Sequence, residues 1–248
     1  MFHRELRRNS ALLSVISLLL LAIVSYTSSA SASTFASTSP KLAAGSDTPA
    51  LSITVLDVGD GDAILITTSQ GHAALIDGGP RKTQVRDVLK KRGITRFRLG
   101  PARLDVLRPS VYFASERSDA SPVNDSTPVI EVSYGAFSAP LAGNATAATE
   151  LQLIARGWLS PVTLLKVAHH GSGTSTSRPF LEVVKPQIAV ISVGKGYAGL
   201  PSDAVLGRLK EYGATVYRTN LHGNVTVITD GHTWKVMTER RPEGYPDA

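Results

Sequence analysis

The chain has 248 residues and contains no cysteine. Disulfides therefore add nothing to its stability, and thiolate ligands are excluded, so any bound metal must be held by histidine and carboxylate side chains. An N-terminal lipid anchor on cysteine is excluded for the same reason. Aromatic residues make up only 6% of the chain and are scattered. This composition argues against a platform on which nucleic acid bases stack.

Long hydrophobic runs are also missing. The longest apolar segment covers 14 residues, 11–24, whereas a helix needs about 20 residues to cross a bilayer. It follows several arginines and precedes a run of small residues, which is typical of a secretory signal peptide over 1–32. We therefore expect a secreted or extracytoplasmic protein with no transmembrane domain in its mature part, or alternatively an N-terminal membrane anchor. Residues 33–50 are interpreted as a flexible Ser/Thr/Ala/Pro spacer, and 51–248 as one domain.

Neither sign of charge is in large excess. Lysine and arginine number 26 against 20 aspartates and glutamates, which gives a formal net charge of +6. Loss of residues 1–32 would remove three arginines and one glutamate. A mildly basic domain is compatible with a polyanionic partner and equally with ordinary solubility. Composition alone does not choose between them.

The order of apolar patterns predicts an α/β fold. Strands come in two runs with amphipathic helices interspersed, which favours two sheets covered by helices over one doubly wound sheet. Predicted helices occupy 81–92, 145–156, 178–184 and 202–212. Predicted strands occupy 51–57, 63–67, 73–76, 129–134, 137–141, 163–168, 187–193, 214–217, 225–229 and 233–237. Residues 94–99 and 104–107 are short pieces, separated by Gly100 and Pro101, to which the pattern assigns no definite element.

Two adjacent histidines, His169 and His170, follow a buried strand and open into a Gly/Ser/Thr loop. Ligands of α/β folds bind outside the carboxyl ends of strands, so this pair is a candidate metal site. The loop amides, together with the side chains of Lys166, Ser172, Thr174 and Ser175, are suited to a phosphate. The alternative is that the hydroxyls merely satisfy turn amides and that His169 is a hydrogen-bonded structural residue.

Two acidic turns provide further candidate ligands. Asp57 begins the loop "DVGDGDA", and Asp77 begins "DGG" after a short strand. Carboxylates at such positions can hold a metal, but both segments are also typical of glycine-supported turns whose aspartates cap local amides. The sequence leaves both interpretations open for each turn.

Taken in order, "LDVGDGDAILITT", "ALIDGG", "NDSTPVIEVSYG" and "LLKVAHHGSGTSTS" resemble the metallo-β-lactamase-like domain of ComEC-type competence proteins. The resemblance runs from about Leu51 to Gly231. It implies a four-layer αββα sandwich and a metallo-hydrolase site along one sheet edge. It also implies catalytic roles for Asp77, His169 and His170, a zinc or manganese ion held by these residues and Asp57, and a link to nucleic acid.

The chain departs from this family at three metal-binding motifs. HxHxDH is absent, since no histidine occurs between His72 and His169, and the fold is expected to lack the segment that carries it. Asn144 stands where the family has a bridging aspartate. Leu200 and Ser202 stand where related sequences have two histidines. A catalytic zinc needs about three protein ligands, so an intact dinuclear centre is not expected.

Three hypotheses follow. In the first, this is a secreted ComEC-like protein with a degenerate metallo-hydrolase site that retains binding of phosphate or nucleic acid. In the second, it is an active metal-dependent hydrolase of the phosphodiesterase or nuclease type with a reduced, mononuclear site. In the third, it is a structural or adhesive domain without catalysis, or the product of a damaged gene. The sequence does not indicate the oligomeric state.

Overall fold

The computed structural model describes residues 50–59, 61–77, 96–107, 129–195 and 199–242. In this part of the chain, two β-sheets lie face to face and helices cover the outer side of the larger sheet. Alternation in β1 illustrates why: Leu51, Ile53 and Val55 are buried while Ser52 and Thr54 are only half-buried, so one side of the strand faces the core.

The smaller sheet has five antiparallel strands in the order β12-β11-β1-β2-β3. It joins the first three strands of the described chain to the last two, so the domain's two ends meet in one sheet. Its strands are β1 (Leu51–Val55), β2 (Ile64–Thr68), β3 (Ala73–Ile76), β11 (Val225–Thr229) and β12 (Trp234–Thr238).

The larger sheet has seven strands in the order β10-β9-β8-β7-β6-β5-β4. Strands β7, β8, β9 and β10 run parallel to one another, whereas β4, β5, β6 and β7 form an antiparallel meander. The carboxyl ends of β8, β9 and β10 therefore share one edge, which we call the rim. The strands are β4 (Arg96–Leu99), β5 (Ala102–Val106), β6 (Ile130–Tyr134), β7 (Phe137–Leu141), β8 (Leu164–Lys166), β9 (Ile188–Ile191) and β10 (Thr215–Arg218).

Four helices are described: α1 (Ala147–Ala155), α2 (Arg178–Val184), α3 (Asp203–Glu211) and the one-turn α4 (Thr219–His222). Ser177 and Ser202 cap α2 and α3, each accepting a backbone N–H three residues on. Buried residues of α2 and α3 pack on the outer side of β8 and β9. Among the described residues, no helix is long and apolar enough to cross a membrane.

The α/β class and the two-sheet arrangement predicted from the sequence are confirmed. Two facing sheets with helices on one outer side agree with the predicted αββα sandwich, whose second helical layer depends on the predicted helix 81–92, outside the described residues. The predicted signal peptide 1–32 lies outside them as well, and so does the predicted spacer 33–50 except for its last residue. Where the family's HxHxDH segment is missing, β4 runs directly into β5 through a turn at Gly100 and pairs with it. The short helix α4 was not predicted.

Gly135 makes a tight turn between β6 and β7, with φ at +57°. A Cβ there would lie 2.5 Å from the carbonyl oxygen of Gly231. Gly157, with φ at +65°, has nothing within 4 Å of its added Cβ. An alanine at Gly157 would therefore meet only the cost of a left-handed backbone, whereas an alanine at Gly135 would also meet a steric clash.

We expect Gly157→Ala to lower the free energy of unfolding by about 1–2 kcal/mol, because only the backbone conformation is penalised. Gly135→Ala should cost roughly 2–5 kcal/mol, because the neighbouring backbone must also move. Urea unfolding followed by circular dichroism measures both values. Equal losses of stability in the two variants would show that the turn at Gly135 accommodates the added methyl group without strain.

Candidate functional site

The histidine pair lies at the rim, in a 3-10 turn (Ala168–Gly171) that follows β8. Both residues have left-handed backbones, with φ at 51° for His169 and 53° for His170. Such conformations cost of order 1–3 kcal/mol each and persist only where the surroundings enforce them. The His169 N–H donates to the Gly143 carbonyl at 2.8 Å, and a Cβ on Gly171 would lie 2.5 Å from Pro201. The turn is thus held between the 143–144 and 199–202 loops.

These two loops are the ones that carry the departures from the family pattern. The structure therefore brings Asn144, Leu200 and Ser202 to the histidine turn, although none of them supplies an imidazole or a carboxylate. Leu200 packs against the apolar residues of α2 and α3. The Ser202 hydroxyl accepts the Val205 N–H at 3.3 Å and its backbone N–H donates to Gly171. Leu200 and Ser202 thus have structural roles.

A buried ion pair lies directly below the turn. Lys166 is the last residue of β8, its side chain has no solvent exposure, and its Nζ lies 2.8 Å from Oδ1 of Asp62. Asp62 lies in the loop that leads into β2 of the smaller sheet. Ser192, just after β9, donates its hydroxyl to the same carboxylate oxygen. The pair therefore joins the two sheets beneath the rim.

His170 is attached to this pair through Ser192. Its Nδ1 lies 2.9 Å from the Ser192 carbonyl oxygen and 3.9 Å from Asp62 Oδ1. A carbonyl can only accept, so Nδ1 carries a proton and donates it there. Burial alone would raise the pKa of Asp62, but Lys166, His170 and the hydrogen bond from Ser192 hold it below its ordinary value. Asp62 is therefore a carboxylate at neutral pH.

His169 has a different environment. Its Nδ1 is buried and has no hydrogen-bond partner among the described residues. Burial, and then the neighbouring His170, lower the pKa of His169, so the ring is neutral at pH 7. A neutral imidazole with an unused ring nitrogen is the chemical form in which histidine binds a transition metal.

The carboxylates predicted as metal ligands do not complete a group of three possible ligands with His169 in the described chain. Asp57 forms an ion pair with Arg240 at 2.7 Å, and its N–H donates to the Asn224 side chain. Asp77 lies at the end of β3, the edge strand of the smaller sheet, with φ at 54°. In the described ranges no group of three or more histidine or carboxylate side chains is placed to hold a metal. These residues do not fit a dinuclear zinc or manganese centre.

The predicted phosphate ligands separate into two groups. Thr174 is exposed and Ser172 is half-buried, and their hydroxyls form an exposed hydrogen bond with the two oxygens 2.9 Å apart. Ser175 is buried and donates to the Ala145 carbonyl at 2.8 Å. Lys166 is buried against Asp62 and has no exposed surface. Only Ser172 and Thr174 thus present side chains to a ligand at the rim, and their role in binding phosphate stays a prediction.

A second set of polar side chains fixes the 173–177 loop. The buried Glu150 carboxylate accepts the Thr176 N–H at 2.5 Å and the Ser177 N–H at 2.9 Å. Burial raises the pKa of Glu150 despite these bonds and the nearby Arg208. From the other side, Arg208 donates to the carbonyls of Ser175 and Thr176 at 2.9 Å. The loop is therefore rigid from Ser175 to Ser177.

Sequence reasoning missed Asp62, Ser192, Glu150 and Arg208. One signal pointed to Asp62: a lysine inside the apolar strand "LLKVA" must find a buried carboxylate, since an unpaired buried ammonium is prohibitively costly. The loop "DVGDGDA" offers three aspartates at nearly the same place. Nothing in their spacing distinguishes the last as the partner.

No family model matches the chain. It is 33% identical over 136 residues to the uncharacterized protein YcaI of Escherichia coli K12, covering 54% of this chain and 18% of YcaI. It is 40% identical over 105 residues to Recombination protein 2 of Haemophilus influenzae, covering 42% and 13% of the two chains. It is 43% identical over 63 residues to Competence protein ComA of Neisseria gonorrhoeae, covering 24% and 9%.

The chain thus spans less than a fifth of the length of these curated relatives. Among solved structures, a mutant of the β-hydroxylase CmlA aligns with 71% of this chain and 53% of its own, at 11% identity and a TM-score of 0.44. Over part of its length, the chain is similar to competence and recombination proteins.

We expect Asp62→Asn to lower the free energy of unfolding by about 3–5 kcal/mol, because it leaves Lys166 charged, buried and unpaired. The double variant Asp62→Asn/Lys166→Met should recover most of that loss. Asp57→Asn, which breaks a partly exposed pair, is the matched control and should cost under about 1 kcal/mol.

Urea titrations at several pH values measure these effects. Because the folded pKa of Asp62 lies below its ordinary 3.8, the wild-type advantage over the double variant should be complete above that pH. This advantage should be lost progressively as the pH falls from 3.8 through the lower pKa that Asp62 has in the folded state. A double variant as unstable as Asp62→Asn would contradict the ion-pair explanation.

Proposed function

We propose that this protein is an extracytoplasmic ComEC-like domain of the metallo-β-lactamase type whose hydrolase site has degenerated. In this proposal the rim binds a phosphorylated ligand, nucleic acid included, without hydrolysing it. The observation that carries the proposal is the change of role at the family's ligand positions. Leu200 packs in an apolar cluster and Ser202 caps a helix, although the histidine pair is present in the turn beside them.

Binding at the rim is assigned to the exposed hydroxyls of Ser172 and Thr174. Each can donate to a phosphate oxygen once their mutual hydrogen bond opens. Glu150 and Arg208 hold the loop behind them, so little conformational entropy is lost on binding. Similarity to Recombination protein 2 and Competence protein ComA supports nucleic acid as the ligand class.

Metal analysis and hydrolysis assays on the full purified chain test the loss of catalysis. We expect substoichiometric zinc and manganese, and no cleavage of single-stranded DNA or of bis-p-nitrophenyl phosphate above buffer. A Ser172→Ala/Thr174→Val variant should weaken binding of a labelled oligonucleotide in fluorescence anisotropy. Stoichiometric metal together with cleavage that is lost in His169→Ala/His170→Ala would overturn the proposal.

A second candidate function, a hydrolase with a reduced mononuclear site, is favoured by one observation. The buried Nδ1 of His169 has no hydrogen-bond partner within the described residues, and such an atom is costly unless something occupies it. A single zinc or manganese ion on this nitrogen would satisfy it and would supply a Lewis acid at the rim. His170 is already oriented by Ser192.

Isothermal titration of the metal-free chain with zinc chloride decides whether His169 is such a ligand. If it is, His169→Ala should weaken zinc binding about tenfold or more, since a metal site that loses a ligand is strongly weakened. His232→Ala, at an exposed histidine in the turn before β12, is the matched control. Equal affinity of the His169 variant and the wild type would exclude the mononuclear site.

A further inference from the structure

The outer face of the β4–β5 hairpin carries three arginines. In the antiparallel register Arg96 lies opposite Asp105 and Arg98 lies opposite Arg103. The alternate residues Leu99, Ala102 and Leu104 are buried in the core between the sheets. Because side chains alternate along a strand, Arg96, Arg98 and Arg103 all project away from the core. We call these three residues the arginine face.

The charges on this face are not balanced. Asp105 bonds Arg96 through one carboxylate oxygen and Arg103 through the other, the latter at 2.7 Å. Both oxygens are thus engaged, and Arg98 forms no ion pair with any other residue that the structure describes. Arg98 also lies directly opposite Arg103, and like charges facing each other across a strand pair are destabilising. An anion bound between them would remove this repulsion.

The acidic groups near the arginine face lie deeper than the arginines. The side chain of Asp105 is 12% exposed, against 66% for Arg96 and 48% for Arg103. Glu131 lies opposite Asp105 on β6. Burial, and then the charge of Asp105, raise the pKa of Glu131. Among the residues that the structure describes here, the outermost groups are therefore guanidinium groups, so that a ligand approaching them meets positive charge first.

The spacing favours a polymeric phosphodiester over a lone anion. Arginines two positions apart on a strand are separated by about 6.8 Å, and a facing pair by about 5 Å. The first distance matches the rise of about two nucleotides along one DNA strand. Guanidinium groups bind phosphate oxygens through paired hydrogen bonds without reading base identity. The arginine face therefore fits phosphates that are two nucleotides apart along a nucleic acid backbone.

We propose that the arginine face is a binding surface for the phosphate backbone of nucleic acid. This inference rests on the proposed function only for the class of ligand, because the arginine face includes no residue of the histidine turn. Strands β5 and β8 are three positions apart in the sheet, so the two places are separated by about 14 Å across it. A strand of several nucleotides could contact both.

The test compares Arg98→Gln with Arg178→Gln in the full chain. Arg178 on α2 has a side chain that is 57% exposed and paired with Glu211. Arg178→Gln is therefore the control that makes the same change of charge outside the arginine face. Fluorescence anisotropy with a labelled 20-nucleotide single strand gives the affinity at several salt concentrations. Arg98→Gln should weaken binding roughly threefold or more and reduce the salt slope by about 0.7, whereas Arg178→Gln should change neither.

Stability provides the second readout. Removing a cation that faces another should leave the urea midpoint of Arg98→Gln unchanged or raise it, so weaker binding with undiminished stability supports a binding role. Wild-type affinity in Arg98→Gln, or wild-type chain that does not bind the oligonucleotide, would overturn the proposal. So would Arg98-dependent binding to phosphatidylserine vesicles but not to DNA. The proposal for the rim is tested by separate measurements, namely the metal content, the cleavage assay and the affinity of the Ser172→Ala/Thr174→Val variant. Its failure can therefore be told apart from failure of the arginine face.

Discussion

The arrangement of the rim depends on the buried contact between Lys166 and Asp62. A lysine with no solvent exposure at the end of an apolar strand would be untenable alone, because removing an ammonium ion from water costs several kcal/mol. Its carboxylate comes from the opposite sheet, and Ser192 and His170 complete the shell of polar partners. The two sheets are therefore fixed relative to each other at the edge where the site lies.

The histidine turn above this contact is held by several neighbouring residues. Two left-handed histidines need neighbours that enforce their geometry. Gly143 supplies an acceptor, Pro201 fills the space next to Gly171, and Ser192 holds the His170 ring. These three contacts together offset the backbone strain of the turn.

Local patterns predicted the elements well where one physical signal dominated. The bounds of α2 agree with the prediction because Ser177 caps it and Pro179 suits its first turn. Alternation identified β1 and β2. Prediction was weaker where partners lie far apart in the chain: Lys166 was assigned to phosphate because its partner Asp62 belongs to a distant loop. Helix α4 has four residues, too few to show a helical period.

The rim and the arginine face offer different kinds of attraction to a polyanion. At the rim, Lys166 and Arg240 are each paired with an aspartate, and Arg208 is engaged with backbone carbonyls. The two side chains proposed to bind phosphate there, Ser172 and Thr174, are neutral hydroxyl groups, whose net hydrogen bonds contribute about 0.5–1.5 kcal/mol and depend little on salt. On the arginine face Arg98 has no counter-charge in the described chain. Arg98 can therefore contribute long-range, salt-dependent attraction, whereas the two hydroxyls contribute short-range contacts once a strand has arrived.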